Sequence, residues 1–305
     1  NMLGMFYYTY AFNQDISSWD VSKVTNMEMM FGSAYVFNQD ISTWDVSQVT
    51  DMSNMFWGTT SFNQNISGWD VSNVTEMNWM FLAANSFNQD ISSWDVSNVK
   101  SMANMFYSAD NFNQNLAKWN ISKVSKMNQM FEDSALSNIN YERILLGWSS
   151  LPNLQSGVSF HGGDATYSSV SSSARAILTD TWGWSITDGG LDNSGLFIST
   201  WNTTKPGSGN TQVQLPLESS GTYNFNIDWG DGNVGFITEW NQSEVTHTYV
   251  SEGVYTINIS GILQGWQFNN RGDKLKLLEI SQWGDLRLGN SGAYFYGCEN
   301  LNITA

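Results

Sequence analysis

Apolar residues in the stretch 12–31 fall at Phe12, Ile16, Trp19, Val21, Val24, Met27, Met30 and Phe31, and the same set returns every 25 residues. Phe12, Phe37, Phe62, Phe87 and Phe112 open five copies, and Trp19, Trp44, Trp69, Trp94 and Trp119 follow seven residues later in each. A fixed period of this length marks a solenoid, in which each repeat buries its apolar face against its neighbours. Two shorter periods lie inside a copy. Trp19 and Val21 alternate with Ser18, Asp20 and Ser22, which predicts a short strand. Val24, Met27, Met30 and Phe31 share one face of a predicted short helix, with Ser22 at an N-cap position and Thr25 with Glu28 as a second start.

Stacking the copies turns each position into a column. The Met columns, from Met2 to Met127 and from Met5 to Met130, share the helix face with Val24 and Phe31 and are expected as core rather than as soft-metal ligands. Asn13/38/63/88/113 and Gln14/39/64/89/114 recur without exception. Amides stacked one repeat apart can bond along the array as a ladder that satisfies turn backbone, with a ligand-binding face as the alternative. Asp15, Asp40, Asn65, Asp90 and Asn115 run beside them. Asp20, Asp45, Asp70 and Asp95, with Asn120, are expected on the exposed strand face. Carboxylates about 5 Å apart there would repel by about 1 kcal/mol per pair even in water, so something must offset them. Two readings remain open: hydrogen bonds to nearby N–H groups and Ser22-type hydroxyls, or a ligand- or cation-binding row flanked by Ser18, Thr43, Gly68 and Ser93.

The period breaks after Phe131. A helix is expected over Ile139, Ile144, Leu145 and Trp148, a second from Ser169 to Thr179, and a strand and turn over 182–190, together closing the solenoid core. Next come strands at Leu196–Ile198, Val213–Leu215, Tyr223–Ile227 and Val254–Ile259, separated by Gly, Pro and Asn turns, as in a small β-sandwich. The opening pattern then returns in degenerate form. Ile280 and Trp283 keep the Ile16–Trp19 spacing, and Trp283, Phe295 and Leu301 keep that of Trp19, Phe31 and Phe37. The expected boundaries are 1–135 for the repeats, 136–195 for their cap, 196–270 for the sandwich and 271–305 for the start of a further repeat block. Asn1 aligns with Asn26 in mid-repeat, which suggests a fragment. Nine residues would join Ala305 to Asn1 in phase, as in a longer alternating array.

Composition narrows the function. The net charge is −16, from 28 acidic and 12 basic residues, so no basic surplus exists for a phosphate backbone or an anionic membrane. An acidic surface instead suits solubility or divalent cations. Cys298 stands alone, so no intrachain disulfide can form, and it is expected as a small core residue. No apolar run is long enough to span a membrane. The only histidines, His161 and His247, lie far apart in sequence and are expected in structural roles. With one cysteine and repeated rather than convergent carboxylates, the chain offers no nucleophile–base pair, and no enzyme is expected.

Two resemblances sharpen these expectations. Ile16-x-x-Trp19-x-Val21-x-x-Val24 follows the leucine-rich-repeat spacing, with Val where Asn is usual. The sentence FNQDISxWDVSxVTxMxxMF resembles the repeat of BspA-like leucine-rich-repeat surface proteins. LLGW, NLQSGVSFHGGDATYSS and WSITDGG are similar to the cap that follows those repeats. Asp228-Trp229-Gly230-Asp231-Gly232, His247-Thr248-Tyr249 and Gly253-Val254-Tyr255-Thr256 resemble the PKD domain. The fold expected is thus mixed and β-rich: a leucine-rich-repeat-type solenoid followed by a PKD or immunoglobulin-like β-sandwich. The resemblances imply a non-enzymatic bacterial surface or secreted protein, often an adhesin, whose partners are a protein or glycan at a cell surface or further copies of itself. Some PKD domains bind calcium, which makes Asp228 and Asp231 candidate Ca2+ ligands, with hairpin-turn roles as the alternative. A discrete glycan- or host-protein-binding module and an ancillary region of a secreted hydrolase are the alternative functions.

Overall fold

The computed structural model describes all of residues 1–305 and divides into two compact units. The first comprises Asn1–Thr166 and Ser171–Gly190, and the second Tyr167–Val170 and Leu191–Ala305.

In the first unit the repeats stack, but not as strand plus helix. No strand forms at Trp19–Val21 and no helix over Val24–Phe31; the coil is a run of tight turns. Met30 N–H closes a turn onto Met27 C=O at 3.1 Å, Ala34 onto Phe31 at 2.9 Å, and Phe37 onto Ala34 at 3.0 Å. Intervening N–H groups reach the next coil: Met27 to Asp51 C=O at 3.0 Å, Met29 to Ser53 at 2.9 Å, Phe31 to Met55 at 2.9 Å. Parallel bridges accordingly link Asn26, Asp51, Glu76, Ser101 and Lys126 in sequence. Consecutive turns send one or two side chains in and then two out. In the third copy Met77, Met80, Phe81 and Ala84 are buried, as is Phe87 at the start of the fourth, while Asn78, Trp79, Leu82, Ala83, Asn85 and Ser86 are not. That spacing is also the stripe of an amphipathic helix, which is why periodicity alone misassigned it. The turns need left-handed backbone at two positions per coil, as at Met29 (φ 57°), Ser33 (φ 59°), Trp79 (φ 54°) and Ala83 (φ 52°). Each non-glycine residue there costs about 1–2 kcal/mol, which the inter-coil bonds and core packing must offset.

The columns behave as expected from stacking. Met27 through Met130 in both Met columns are fully buried. Two files of Phe rings run along the core, with Phe31–Phe56 at 5.7 Å, Phe56–Phe81 at 5.5 Å and Phe37–Phe62 at 6.0 Å. From Trp44 on, the indole N–H of each Trp in the Trp19 column donates to a carbonyl of the preceding coil: Trp44 to Ile16, Trp69 to Ile41, Trp94 to Ile66, Trp119 to Ile91. The amide ladder also forms. Asn38 Oδ1 accepts from Asn63 N–H at 3.0 Å and Gln64 Nε2 at 2.9 Å, and the pattern repeats down the array.

The cap continues these bonds with different elements. Helix α1, Asn138–Ser149, places Trp148 so that its indole donates to Leu116 C=O at 3.1 Å, the bond the next Trp of the column would make. Ser137 N–H and Asn140 Nδ2 take over Asn113 Oδ1, the last ladder acceptor, at 2.9 Å each. Gly147 is required here, because a Cβ would lie 2.2 Å from Ala117 C=O. Strand β1, Ser159–His161, pairs with β2, Ser185–Thr187, and α2, Ser169–Ala176, runs on into one π-helical turn over Ile177–Thr181. Asp188 is bound by Tyr141 Oη at 2.5 Å and Arg175 Nε at 2.7 Å.

The second unit carries β3 (Phe197–Asn202), β4 (Gln212–Gln214), β5 (Leu217–Asp228), β6 (Val234–Ile237), β7 (Thr246–Thr248), β8 (Val254–Trp266), β9 (Leu277–Gln282) and β10 (Asn302–Ile303). A six-stranded sheet runs β10-β9-β3-β8-β5-β6, and β4 pairs with β7. Val213, Val245 and Tyr249 on the β4–β7 side share one core with Phe225, Ile227, Ile257 and Ile259. The boundary expected at 270/271 falls inside this unit. β9 pairs with β3, and Ile280 and Leu277 are buried in the common core. Residues 271–305 therefore complete this sheet, because β3 needs a partner on the side away from β8. The repeat phase is nonetheless visible in the tail. Cys298 N–H closes onto Phe295 C=O and Leu301 onto Cys298, as Ala34 onto Phe31 and Phe37 onto Ala34, and Ala293 (φ 52°) and Gly297 (φ 87°) are left-handed where Met29 and Ser33 are.

Candidate binding surface

The aspartates singled out by the repeat do form exposed rows. Asp20, Asp45, Asp70 and Asp95 are exposed, and so are Ser18, Thr43, Gly68 and Ser93. Each carboxylate is already engaged within its own turn. Asp20 Oδ1 accepts from Ser22 N–H at 3.0 Å and Ser22 Oγ at 2.6 Å, and the N–H groups of Ser47, Ser72 and Ser97 bond Asp45, Asp70 and Asp95 at 3.0–3.1 Å. The serine bonds hold Asp20, Asp45 and Asp95 below the usual carboxylate range. At Asp45 the repulsion from Asp20 is the smallest of the influences acting on it. The hydrogen bonds are thus what offsets the repeated charge. Thr43 Oγ1 and Ser93 Oγ donate to carbonyls of the preceding coil, Ser17 and Ser67, at 3.3 Å.

Asp228 and Asp231 are likewise engaged. Asp228 Oδ1 accepts from Gly230 N–H at 2.9 Å. Asp231 accepts from Asn233 N–H and Nδ2, both at 3.0 Å, and lies 2.8 Å from His247 Nε2. Burial opposes ionisation of Asp231, but the His247 and Asn233 bonds outweigh it and keep its carboxyl low. His247 stacks on Trp229 at 4.9 Å. No three His, Cys, Asp or Glu side chains come together as a metal would require. His161 Nδ1 accepts from Gly163 N–H at 3.1 Å, a loop-holding role. Burial pushes the Cys298 thiol up to about 12.

A different face of the repeats carries the unusual chemistry. Between the buried Met and Phe positions lie the columns of residues 28, 29, 32, 33, 35 and 36 of the first full copy; they turn away from the core, although neighbours cover Ser33, Ser53, Asn54 and Asn104. The copies agree inside and differ here, and aromatic residues accumulate. Tyr10 and Tyr35 stack at 4.9 Å, Tyr8 meets Tyr10 edge-on at 5.9 Å and Trp57 at 6.4 Å, and Tyr7 lies 4.1 Å from Tyr8 and 6.1 Å from Trp57. Tyr7 and Trp57 occupy the same column two coils apart. Gly32 stands between them, and a Cβ there would lie 2.8 Å from the Tyr7 ring. Tyr8, Tyr10 and Tyr35 remain 48%, 52% and 43% exposed.

Residues 1–68 and 40–144 match the family described as Mycoplasma protein of unknown function, DUF285. No curated protein and no solved structure matches the chain. The matched segment contains all five copies and the aromatic face, and ends within α1. No helix is long and apolar enough to cross a membrane.

Sequence reasoning looked for function in the columns that recur, and so missed this face. The available signal was the opposite one. Tyr7, Trp57, Leu82 and Tyr107 share a column with Gly32 and Glu132, and positions that differ between otherwise identical copies are under different constraints from the core.

Proposed function

We propose that the chain belongs to an extracellular, non-enzymatic structural and adhesive protein of a bacterial surface. In this reading a leucine-rich-repeat-type solenoid forms a stalk or filament unit, and a PKD-like β-sandwich follows it. The observation that carries the reading is the split between an invariant interior and a divergent exterior. Ladders of Asn, Trp and Phe repeat in every coil, so coils can be added at little cost in design, while the outward columns vary freely. The acidic surface and the match to a family of bacterial repeat sequences support it further. Partners are a glycan or protein at a cell surface, or further copies of the chain, and no cofactor is needed. Displaying the chain on a non-adherent bacterium and measuring retention on matrix-coated and epithelial surfaces tests this. Retention above the undisplayed control is expected. No retention, together with isolated particles and no filaments by electron microscopy, would refute it.

A further inference from the structure

From the outward aromatic cluster we infer that Tyr8, Tyr10, Tyr35 and Trp57 form a binding site for an uncharged oligosaccharide. This deepens the adhesive reading by naming its ligand class and site. Tyr10 and Tyr35 form a stacked pair, and Tyr8 stands at 65° to Tyr10 and 67° to Trp57, so the rings make a corner rather than a flat patch. A pyranose offers an apolar C–H face for an aromatic ring and hydroxyls for polar groups at its edge, and a ring corner with hydroxyls matches both.

The polar groups around the rings are small and neutral. Thr60 Oγ1 and Ser61 N–H both donate to Tyr35 C=O, at 3.1 Å each. None of the six columns on this face carries Lys or Arg in any copy, so an anionic sugar has no counter-charge there. Gly32 keeps the site open, since any side chain there would push Tyr7 off its place against Trp57.

Isothermal titration calorimetry of the full chain with cellohexaose, laminarihexaose, mannohexaose and hexa-N-acetylchitohexaose tests this, with hexagalacturonate as the anionic comparison. At least one neutral sugar is expected to bind, with hexagalacturonate weaker by about tenfold or more. Tyr35→Ala and Tyr10→Ala should each weaken binding about tenfold, Tyr35→Phe by no more than about threefold, and Asp45→Ala/Asp70→Ala not at all. Gly32→Leu should also weaken it, and melting curves of each variant verify that it is folded. No heat with any neutral sugar overturns the inference, as does unchanged binding in folded Tyr10→Ala/Tyr35→Ala or tighter binding of hexagalacturonate. Surface retention that persists in Tyr10→Ala/Tyr35→Ala would overturn this site and leave the adhesive reading standing.

Discussion

Replacing Lys276 with Met tests whether residues 271–305 are built into the second unit. Lys276 and Asp273 are wholly buried, with Nζ 3.6 Å from Asp273 Oδ1. The ammonium donates to Gln212 C=O at 2.7 Å, Gly209 C=O at 2.8 Å and Ser208 Oγ at 3.0 Å. Asp273 in turn accepts from Ser208 N–H at 2.5 Å, Ser208 Oγ at 2.8 Å and Gln214 N–H at 2.7 Å. The pair thus ties the tail to the loop that leads into β4. Burial lowers the pKa of Lys276 and Asp273 resists that fall, so the charge is held by its partners. Met fills much the same volume but leaves the carbonyls without a donor and the carboxylate without its cation. Removing one partner of a buried pair costs about 3–5 kcal/mol, a large part of the roughly 5–15 kcal/mol that holds a domain together. For a unit of this size that corresponds to a fall of about 10–25 °C in the melting transition. Scanning calorimetry of the full chain should show one transition shifted by that amount. If no transition moved by more than about 3 °C, the clamp would not be structural and the tail would be a separate element. The double variant Asp273→Leu/Lys276→Met should cost less than the sum of the two single changes.

Four further outcomes are expected. Ala83→Gly relieves a left-handed residue at a column where Gly58 already stands, and should stabilise the repeats by about 0.5–1 kcal/mol in urea titrations; destabilisation would mean that the turn is not left-handed. Asp231 has a depressed carboxyl, so its contribution is complete above the unfolded value of about 3.9 and is lost as pH falls through the lower folded value. Acid titration of Asp231→Asn should therefore show a shallower loss below about pH 4 than the parent, and identical curves would remove the His247–Asp231 bond from the account. Cys298 stands at the position of Ala34, Ala84 and Ala109, so Cys298→Ala should change stability by no more than about 0.5 kcal/mol, and the thiol, with its pKa about 12, should alkylate slowly at pH 8. Both oxygens of Asp231 are used within the fold, so adding EDTA should leave the melting midpoint unchanged; a downward shift would restore calcium as a structural component.

Much of the first unit was legible in its sequence because stacking makes each residue its own control. A position that must bond to its copy one coil away cannot drift. The Asn13 column therefore announced an amide ladder, and the Met columns a buried core, before any geometry was known. The cap was legible as a break in period, and its job as the end of the stack followed from exposed-edge physics. The candidate site was less legible. Recurrence drew attention to Asp20 and its copies, and their carboxylates turned out to serve their own turns.

Tertiary structure decided what periodicity cannot separate. Residues 27, 30, 31 and 34 point inward either on a helix or on consecutive β-turns, and only the bonds from Met27 and Phe31 to the next coil distinguish the two. The tail shows the same limit. Its spacing placed it in phase with the repeats, and its turns keep that phase, yet β9 bonds to β3 and Lys276 is buried under the β4 loop. Local spacing sets turns, because they close over three or four residues. Which edge a strand joins depends on partners some eighty residues away, and the sequence at that strand does not name them. The aromatic corner has the same origin: Tyr7, Tyr10, Tyr35 and Trp57 are scattered over about fifty positions, and only the stacking of coils brings their rings together.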